Sequence, residues 1–210
     1  MDVKKTPSGR SFGILGDSYS TFEGCIPEGN ECYYPQETVD DVRKAEDTWW
    51  HILMRRHQMR LTVNDSYSGA TVCTDVREEQ PFSSAFTERA KRSFSGEDQP
   101  DYIFIFGGTN DSWLERTIGT VKFANRSEED LKQVLPAYCE VLEHIIHHNP
   151  ASKLIAVINT GLHPDIHNGI LDAARYYGIT AVVLHNIHKQ NGHPTALGMR
   201  QIAEQIERAL

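Results

Sequence analysis

Phe12-Gly13-Ile14-Leu15-Gly16-Asp17-Ser18-Tyr19-Ser20 decides how this chain is read. An apolar run ends abruptly in Gly-Asp-Ser, as a buried parallel strand does where it turns into a loop at its carboxyl end. Open α/β sheets bind ligands at that edge. A serine placed there becomes a nucleophile if a base reaches it. Gly-Asp-Ser is also ordinary turn chemistry, so the rest of the chain has to choose.

Four more apolar runs follow: Leu61–Val63, Tyr102–Phe106, Leu154–Ile158 and Ile179–Leu184. Most do not alternate, as expected of strands covered on both faces. Helical patterns separate them at Thr48–His57, Phe82–Phe94, Ser127–His148, Ile166–Tyr177 and Pro194–Leu210. The last is expected to open with Pro194-Thr195, proline being tolerated in a first helical turn. Alternating strands and helices imply a parallel sheet with helices on both sides. Two long connections, Ser20–Asp47 and Asp111–Arg126, leave strand ends and should wall one crevice.

The 210 residues suit one domain spanning 1–210. Charged residues are 24% of the chain, which is not a disordered composition. A net charge of −8 argues against nucleic acid or an anionic membrane surface as partner. No apolar stretch reaches membrane-spanning length, and no apolar leader follows Met1-Asp2-Val3-Lys4-Lys5. The expected location is therefore cytoplasmic, although a chain trimmed of its leader would read the same. Cys25, Cys32, Cys73 and Cys139 form no CxxC pair. Cys25 and Cys32 could bridge within one loop, but free thiols are expected in a reducing compartment.

Polar signatures recur at the strand ends. Strand one ends in Gly16-Asp17-Ser18, and strand two in Asn64-Asp65-Ser66-Tyr67-Ser68-Gly69. Strand three ends in Gly107-Gly108-Thr109-Asn110-Asp111, and Asn191-Gly192-His193-Pro194 precedes the last helix. Individually these are turns. Jointly they place Ser, Gly, Asn and His at one edge of one sheet. That set, in that chain order, resembles the SGNH hydrolases, also called GDSL-like esterases. The resemblance runs from Ile14 to the final helix. It implies a flavodoxin-like three-layer α/β/α sandwich with a five-stranded parallel sheet in the order 2-1-3-4-5.

The resemblance also implies roles. Ser18 would be the nucleophile and His193 the general base and acid. The Ser18 N–H, the Gly69 N–H and the Asn110 side-chain amide would form the oxyanion hole. The absence of a Gly-x-Ser-x-Gly elbow argues against a standard α/β-hydrolase. One departure matters. The family usually carries Asp three residues before the histidine, and here that residue is Gln190. Either a backbone carbonyl orients His193 in a Ser–His dyad, or activity is weak, or a distant carboxylate serves, with Asp165 the first to check.

Other residues carry plainer readings. Asp17 is expected to stabilise a turn, and Thr109 and Asp111 to hold the loop around Asn110. Trp49 and Trp50 open a helix, where at least one should face the core. Trp113 is a candidate wall of the acyl or sugar pocket, and Tyr19, Tyr33, Tyr34 and Tyr67 are candidates for the crevice rim. His144, His147 and His148 have helical spacing but read as a helix end rather than a metal site. His163 and His167 follow strand four on the catalytic edge, where either could touch substrate. His185 and His188 should lie on the surface or behind the catalytic histidine. No cofactor or metal is expected.

The expected function is hydrolysis of a small ester through an acyl-enzyme, with acetylated carbohydrate favoured because Ser20–Asp47 is polar and aromatic. The rivals are a lysophospholipase or thioesterase, and a catalytically weak binding protein on the same fold. A flavodoxin-type nucleotide binder would need a phosphate loop that the sequence lacks.

Overall fold

The structure, a computed structural model, describes residues 9–36, 41–75, 81–96 and 99–210. Five parallel strands form its centre: β1 (Ser11–Gly16), β2 (Arg60–Ser66), β3 (Tyr102–Phe106), β4 (Lys153–Ile158) and β5 (Thr180–Val183). Their order is β2-β1-β3-β4-β5, so β1 lies between β2 and β3 and the strand order reverses beside it. That reversal is where open α/β sheets leave a crevice at the carboxyl ends of the strands.

Among the described residues, six α-helices accompany the sheet: α1 (Trp49–Arg56), α2 (Phe86–Ser93), α3 (Thr109–Trp113), α4 (Val134–His148), α5 (Pro164–Tyr177) and α6 (Ala196–Glu207). Side chains alternate along each strand. Phe12, Ile14, Phe104, Phe106, Ile155 and Val157 face α1 and α6, against Trp49, Leu53, Met199 and Ile202. Leu15, Ile103, Ile105, Ala156 and Ile158 face α2, α4 and α5, against Phe86, Tyr138 and Ile170. Trp49 and Trp50 are both buried, so the expectation of at least one in the core is met twice. The three-layer α/β/α arrangement is as expected.

Several boundaries differ, each for a physical reason. Asn64, Asp65 and Ser66 belong to β2 rather than to a turn after it. They are polar yet buried because partners from elsewhere satisfy them. The Asp65 carboxylate accepts from Arg92 at 2.6 Å and from Asn30 at 3.0 Å. Buried Arg89 donates to the Asp65 carbonyl. Pro194 is not in a helix. Thr195 caps α6 by accepting from the Gly198 N–H at 3.2 Å. Pro194 belongs to a two-stranded hairpin, β6 (Lys189–Gln190) and β7 (His193–Pro194), which the helical reading overlooked. Finally, α3 occupies the start of the long connection after β3.

Candidate active site

Ser18 opens a single 3-10 turn, Ser18–Ser20, directly beyond β1. Asp17 caps it, its Oδ1 accepting from the Tyr19 N–H at 3.0 Å. Ser20 is the anchor. Its hydroxyl accepts from Trp49 Nε1 at 3.2 Å. Its carbonyl accepts from Trp50 Nε1 at 3.1 Å and from Asn64 Nδ2 at 2.9 Å. Gly16 admits this turn, because a Cβ there would lie 2.5 Å from Ser66 Oγ and 2.8 Å from Ser20 Cβ. Three buried donors and a tight glycine thus hold the serine in one place.

His193 arrives from the other end of the chain, on β7. The hairpin turn is Asn191-Gly192, with φ of +50° and +82°. Two consecutive positive φ values are what a two-residue hairpin of Asn-Gly type requires. The Nε2 atom of His193 lies 2.9 Å from Ser18 Oγ. Its Nδ1 lies 3.3 Å from the Asn191 carbonyl. A carbonyl oxygen can only accept, so Nδ1 carries the proton and Nε2 presents its lone pair to the serine hydroxyl. Burial, with Lys189 adding to it, holds the imidazole below its ordinary pKa, while the Asn191 bond opposes the shift. The ring is therefore kept neutral, as a general base must be.

The two residues considered for the missing carboxylate's place separate cleanly, and buried Asp17 is a separate case. Gln190 pairs with His193 across the hairpin and is exposed, but the partner of Nδ1 is the Asn191 carbonyl, not its amide. Asp165 lies in the first turn of α5 and engages His163, whose Nδ1 accepts from the Asp165 N–H at 3.2 Å. It is no partner of His193. Asp17 is fully buried, and burial raises its carboxyl to about 6.

The neighbours of β1 bring the remaining residues to the same edge. Asn110 lies in the first turn of α3 and is buried. One hydrogen of its amide goes to the Ala70 carbonyl, 2.9 Å away, which leaves the second for a ligand. Gly69, φ +82°, lies in the turn after β2. Asp111 ties the two segments together by accepting from the Val72 N–H at 2.9 Å and the Cys73 N–H at 3.3 Å. Thr109 accepts from Asn159 Nδ2 at 3.0 Å. Both residues hold the Asn110 loop, as their sequence position suggests.

The aromatic residues redistribute. Tyr19, fully buried, is not at the crevice rim; it donates to the Gly192 carbonyl and so clamps the hairpin. Tyr34, also buried, donates to the Pro194 carbonyl at 2.7 Å. Tyr67 is buried as well. Trp113 remains 48% exposed, with its ring 5.6 Å from the imidazole. Tyr33 stacks on His193 with ring centres 3.6 Å apart and planes 10° from parallel. Neither this stack nor the hairpin was read from sequence. The Asn-Gly pair was a usable signal for the hairpin, whereas nothing local signals a contact across 160 residues of chain.

Candidate ligands elsewhere are accounted for. Among the described residues, no group of three His, Cys, Asp or Glu side chains could hold a metal ion. His144 and His148 stack on each other at 4.2 Å near the end of α4. His163 caps α5, and His188 Nδ1 lies 2.7 Å from Thr195 Oγ1 behind the hairpin. All four cysteines are free thiols.

Comparison with known proteins decides the class. A family model for GDSL-like lipases and acylhydrolases matches residues 10–210. The chain belongs to the GDSL-like lipase/acylhydrolase family. A protein described as a GDSL-like lipase from Bacteroides uniformis is 36% identical, with a TM-score of 0.89 over 96% of this chain and 95% of that one. A second, from Bacteroides ovatus, is 37% identical, with a TM-score of 0.88 over 96% and 98%. A family two carbohydrate esterase from Clostridium thermocellum shares the fold at 14% identity, with a TM-score of 0.65 over 98% of this chain and 64% of that one. No curated protein matches the sequence. Membership of this family makes the chain an ester hydrolase.

Proposed function

We propose that this GDSL-like hydrolase cleaves short acyl esters, acetyl esters of carbohydrates in particular, with Ser18 and His193 acting as a dyad. The observation that carries the reading is the 2.9 Å contact between Ser18 Oγ and His193 Nε2, with Nδ1 turned to a backbone carbonyl. The imidazole takes the Ser18 proton as Oγ attacks the ester carbonyl. The resulting oxyanion meets the Ser18 N–H, which has no intrahelical acceptor at the start of its turn, and the free hydrogen of Asn110. The Gly69 N–H is the third donor that the family resemblance supplies. His193 then protonates the departing alcohol, and water attacks the acyl-serine with the imidazole again as base. In a serine protease, replacing the third residue's carboxylate by an amide costs about ten-thousandfold because the histidine takes the wrong tautomer. The Asn191 carbonyl favours the right tautomer without supplying charge.

The sugar reading rests on the surroundings. Exposed Trp113 offers a flat face beside the imidazole. A cavity of about 290 Å³ between α3 and α5, lined by Ser112, Glu115, Arg116 and His163 among others, opens on the same side of the sheet. Ser112, Glu115, Arg116 and His163 there could pair with hydroxyl groups, beside Ile118 and Ile166. The carbohydrate esterase with the same fold gives the reading a precedent. The test is hydrolysis of p-nitrophenyl esters of increasing acyl length, with Ser18→Ala as control, followed by acetylated sugars. Activity that falls steeply beyond acetyl and vanishes in the variant is expected. A preference for long acyl chains would move the protein to lipid or thioester substrates. Ester hydrolysis indifferent to Ser18→Ala would overturn the mechanism.

A further inference from the structure

Among the described residues no acid stands behind the histidine, yet the Nδ1 contact in its place, at 3.3 Å, is long for a hydrogen bond expected to orient a ring alone. We propose that Tyr33 is the positioning residue that takes over this task, its ring face holding the His193 imidazole in the plane where Nε2 meets Ser18 Oγ.

The geometry is direct. With ring centres 3.6 Å apart and planes 10° from parallel, the imidazole cannot tilt about its side-chain bond without driving an edge into the phenol ring. Tyr19 and Trp113 meet the imidazole at 5.5 Å and 5.6 Å, at angles of 52° and 70°. The ring is thus confined on more than one side. The same face serves the chemistry. As His193 accepts the serine proton it becomes a cation, and the electron-rich face of an aromatic ring attracts a cation. A carboxylate would supply charge; the Tyr33 face supplies a quadrupole.

Tyr33 is itself fixed to the nucleophile. Its N–H donates to Thr21 Oγ1 at 3.0 Å, and that hydroxyl donates to the Ser18 carbonyl at 3.0 Å. One threonine hydroxyl therefore couples the serine turn to the segment that carries the stacked ring. Next door, the Tyr34 carbonyl accepts from the Glu23 N–H at 2.9 Å, and the Tyr34 hydroxyl reaches Pro194. Asn30 secures the same segment to Asp65 and to the Ser66 carbonyl. A stack so braced has a fixed register with the base.

Among the described residues, the charged and titratable groups around the imidazole are few. Lys189 on β6 acts on it directly and holds its pKa down. Asp17, at the end of β1, acts on Tyr19 and Lys189. Tyr19, Tyr33 and Tyr34 bring the phenols. A change at Tyr33 is therefore read against a background set by Lys189.

The proposal rests on Ser18 and His193 acting as nucleophile and base, so its test has one readout that needs no turnover. The full chain is made with Tyr33→Phe, Tyr33→Leu and Tyr33→Ala. Tyr33→Phe, which keeps the ring, should retain kcat within about threefold on p-nitrophenyl acetate. Tyr33→Leu, which keeps apolar bulk and secures folding, should lower kcat by about tenfold or more with KM little changed, as loss of base alignment does. In Tyr33→Ala, water reaches the imidazole, and the hydration gained outweighs the lost attraction of the ring face, so the His193 titration followed by NMR should rise towards the ordinary histidine value. Three results would each overturn the proposal: full kcat in Tyr33→Leu, a loss confined to KM, or an unmoved His193 titration in Tyr33→Ala. The titration reports on the stack whether or not the wild-type protein hydrolyses esters in a Ser18-dependent way.

Discussion

The imidazole of His193 turns its Nδ1 to the carbonyl of Asn191, two residues earlier in the same hairpin, and not to the neighbouring amide of Gln190. A peptide carbonyl has no second tautomer to offer. An amide side chain could rotate and present its NH₂, which would place the proton on the wrong nitrogen. The hairpin therefore specifies the tautomer of the base with backbone alone. Gln190→Ala should leave kcat/KM within about threefold, while His193→Ala should remove about ten-thousandfold or more. Comparable losses in both variants would show that the Gln190 side chain, not the Asn191 carbonyl, orients the ring.

The hairpin turn is a second point of test. Gly192 has φ +82°, and a Cβ there would stand 3.1 Å from Trp113 Cη2. Gly192→Ala should cost about 1 kcal/mol or more of stability from the left-handed backbone. It should also displace Trp113 and lower kcat. Chemical denaturation and steady-state kinetics on one preparation check both effects.

Burial lowers the working pH of the base, and Lys189 adds to the effect. Its ammonium contacts Asn159 Oδ1 at 3.1 Å and the Thr160 carbonyl at 3.3 Å, and its charge helps hold the imidazole below the usual histidine range. The acid limb of the kcat/KM profile should therefore lie below about 6.5. Lys189→Met should move that limb to higher pH, since a positive neighbour that opposes protonation is gone. A limb that stayed or moved down would remove Lys189 from the account.

Asp17 makes stability depend on pH. Burial raises its carboxyl from an ordinary 3.8 to about 6. The folded state therefore binds this proton more tightly than the unfolded state. The stabilisation is fully present below the unfolded value and is lost as pH rises through about 6. By pH 8 the loss is on the order of 3 kcal/mol. Asp17→Asn keeps an oxygen for the Tyr19 N–H and cannot ionise. Between pH 5 and pH 8 its urea midpoint should fall less than that of the wild type. Equal falls would contradict a raised Asp17.

Asn110 tests the oxyanion hole. Asn110→Ala should cut kcat about a hundred- to a thousandfold with little change in KM, as loss of a single oxyanion donor does. A rise in KM at unchanged kcat would make Asn110 a ground-state contact.

How much of this was legible in the sequence follows from where each signal lies. β1, β3 and β4 are continuous apolar runs because both faces are covered, and their positions can be read locally. The strand-end blocks point to Ser18, Gly69, Asn110 and His193, and the sheet order sets the first three on adjacent strands. Asn64–Ser66 misleads because buried polar strand residues look like a turn until their partners are known. Arg89 and Arg92 come from a helix more than twenty residues away. Tyr19 misleads in the opposite sense. An amphipathic ring beside the nucleophile suggests a rim, but its hydroxyl finds an acceptor in the hairpin and the ring is buried. The Nδ1 partner was foreseeable only as one of three options, because backbone carbonyls carry no sequence signature.

The central claim is that Ser18 carries the acyl group, with His193 as its base and the Asn191 carbonyl, not a carboxylate, at its Nδ1. Its most direct test is acid-quenched mixing with p-nitrophenyl acetate, followed by intact mass and peptide mapping. One acetyl group on Ser18 is expected in the wild type and in Gln190→Ala, and none in Ser18→Ala or His193→Ala. Hydrolysis with no acyl adduct on Ser18, or an adduct that forms equally well without His193, would contradict the account.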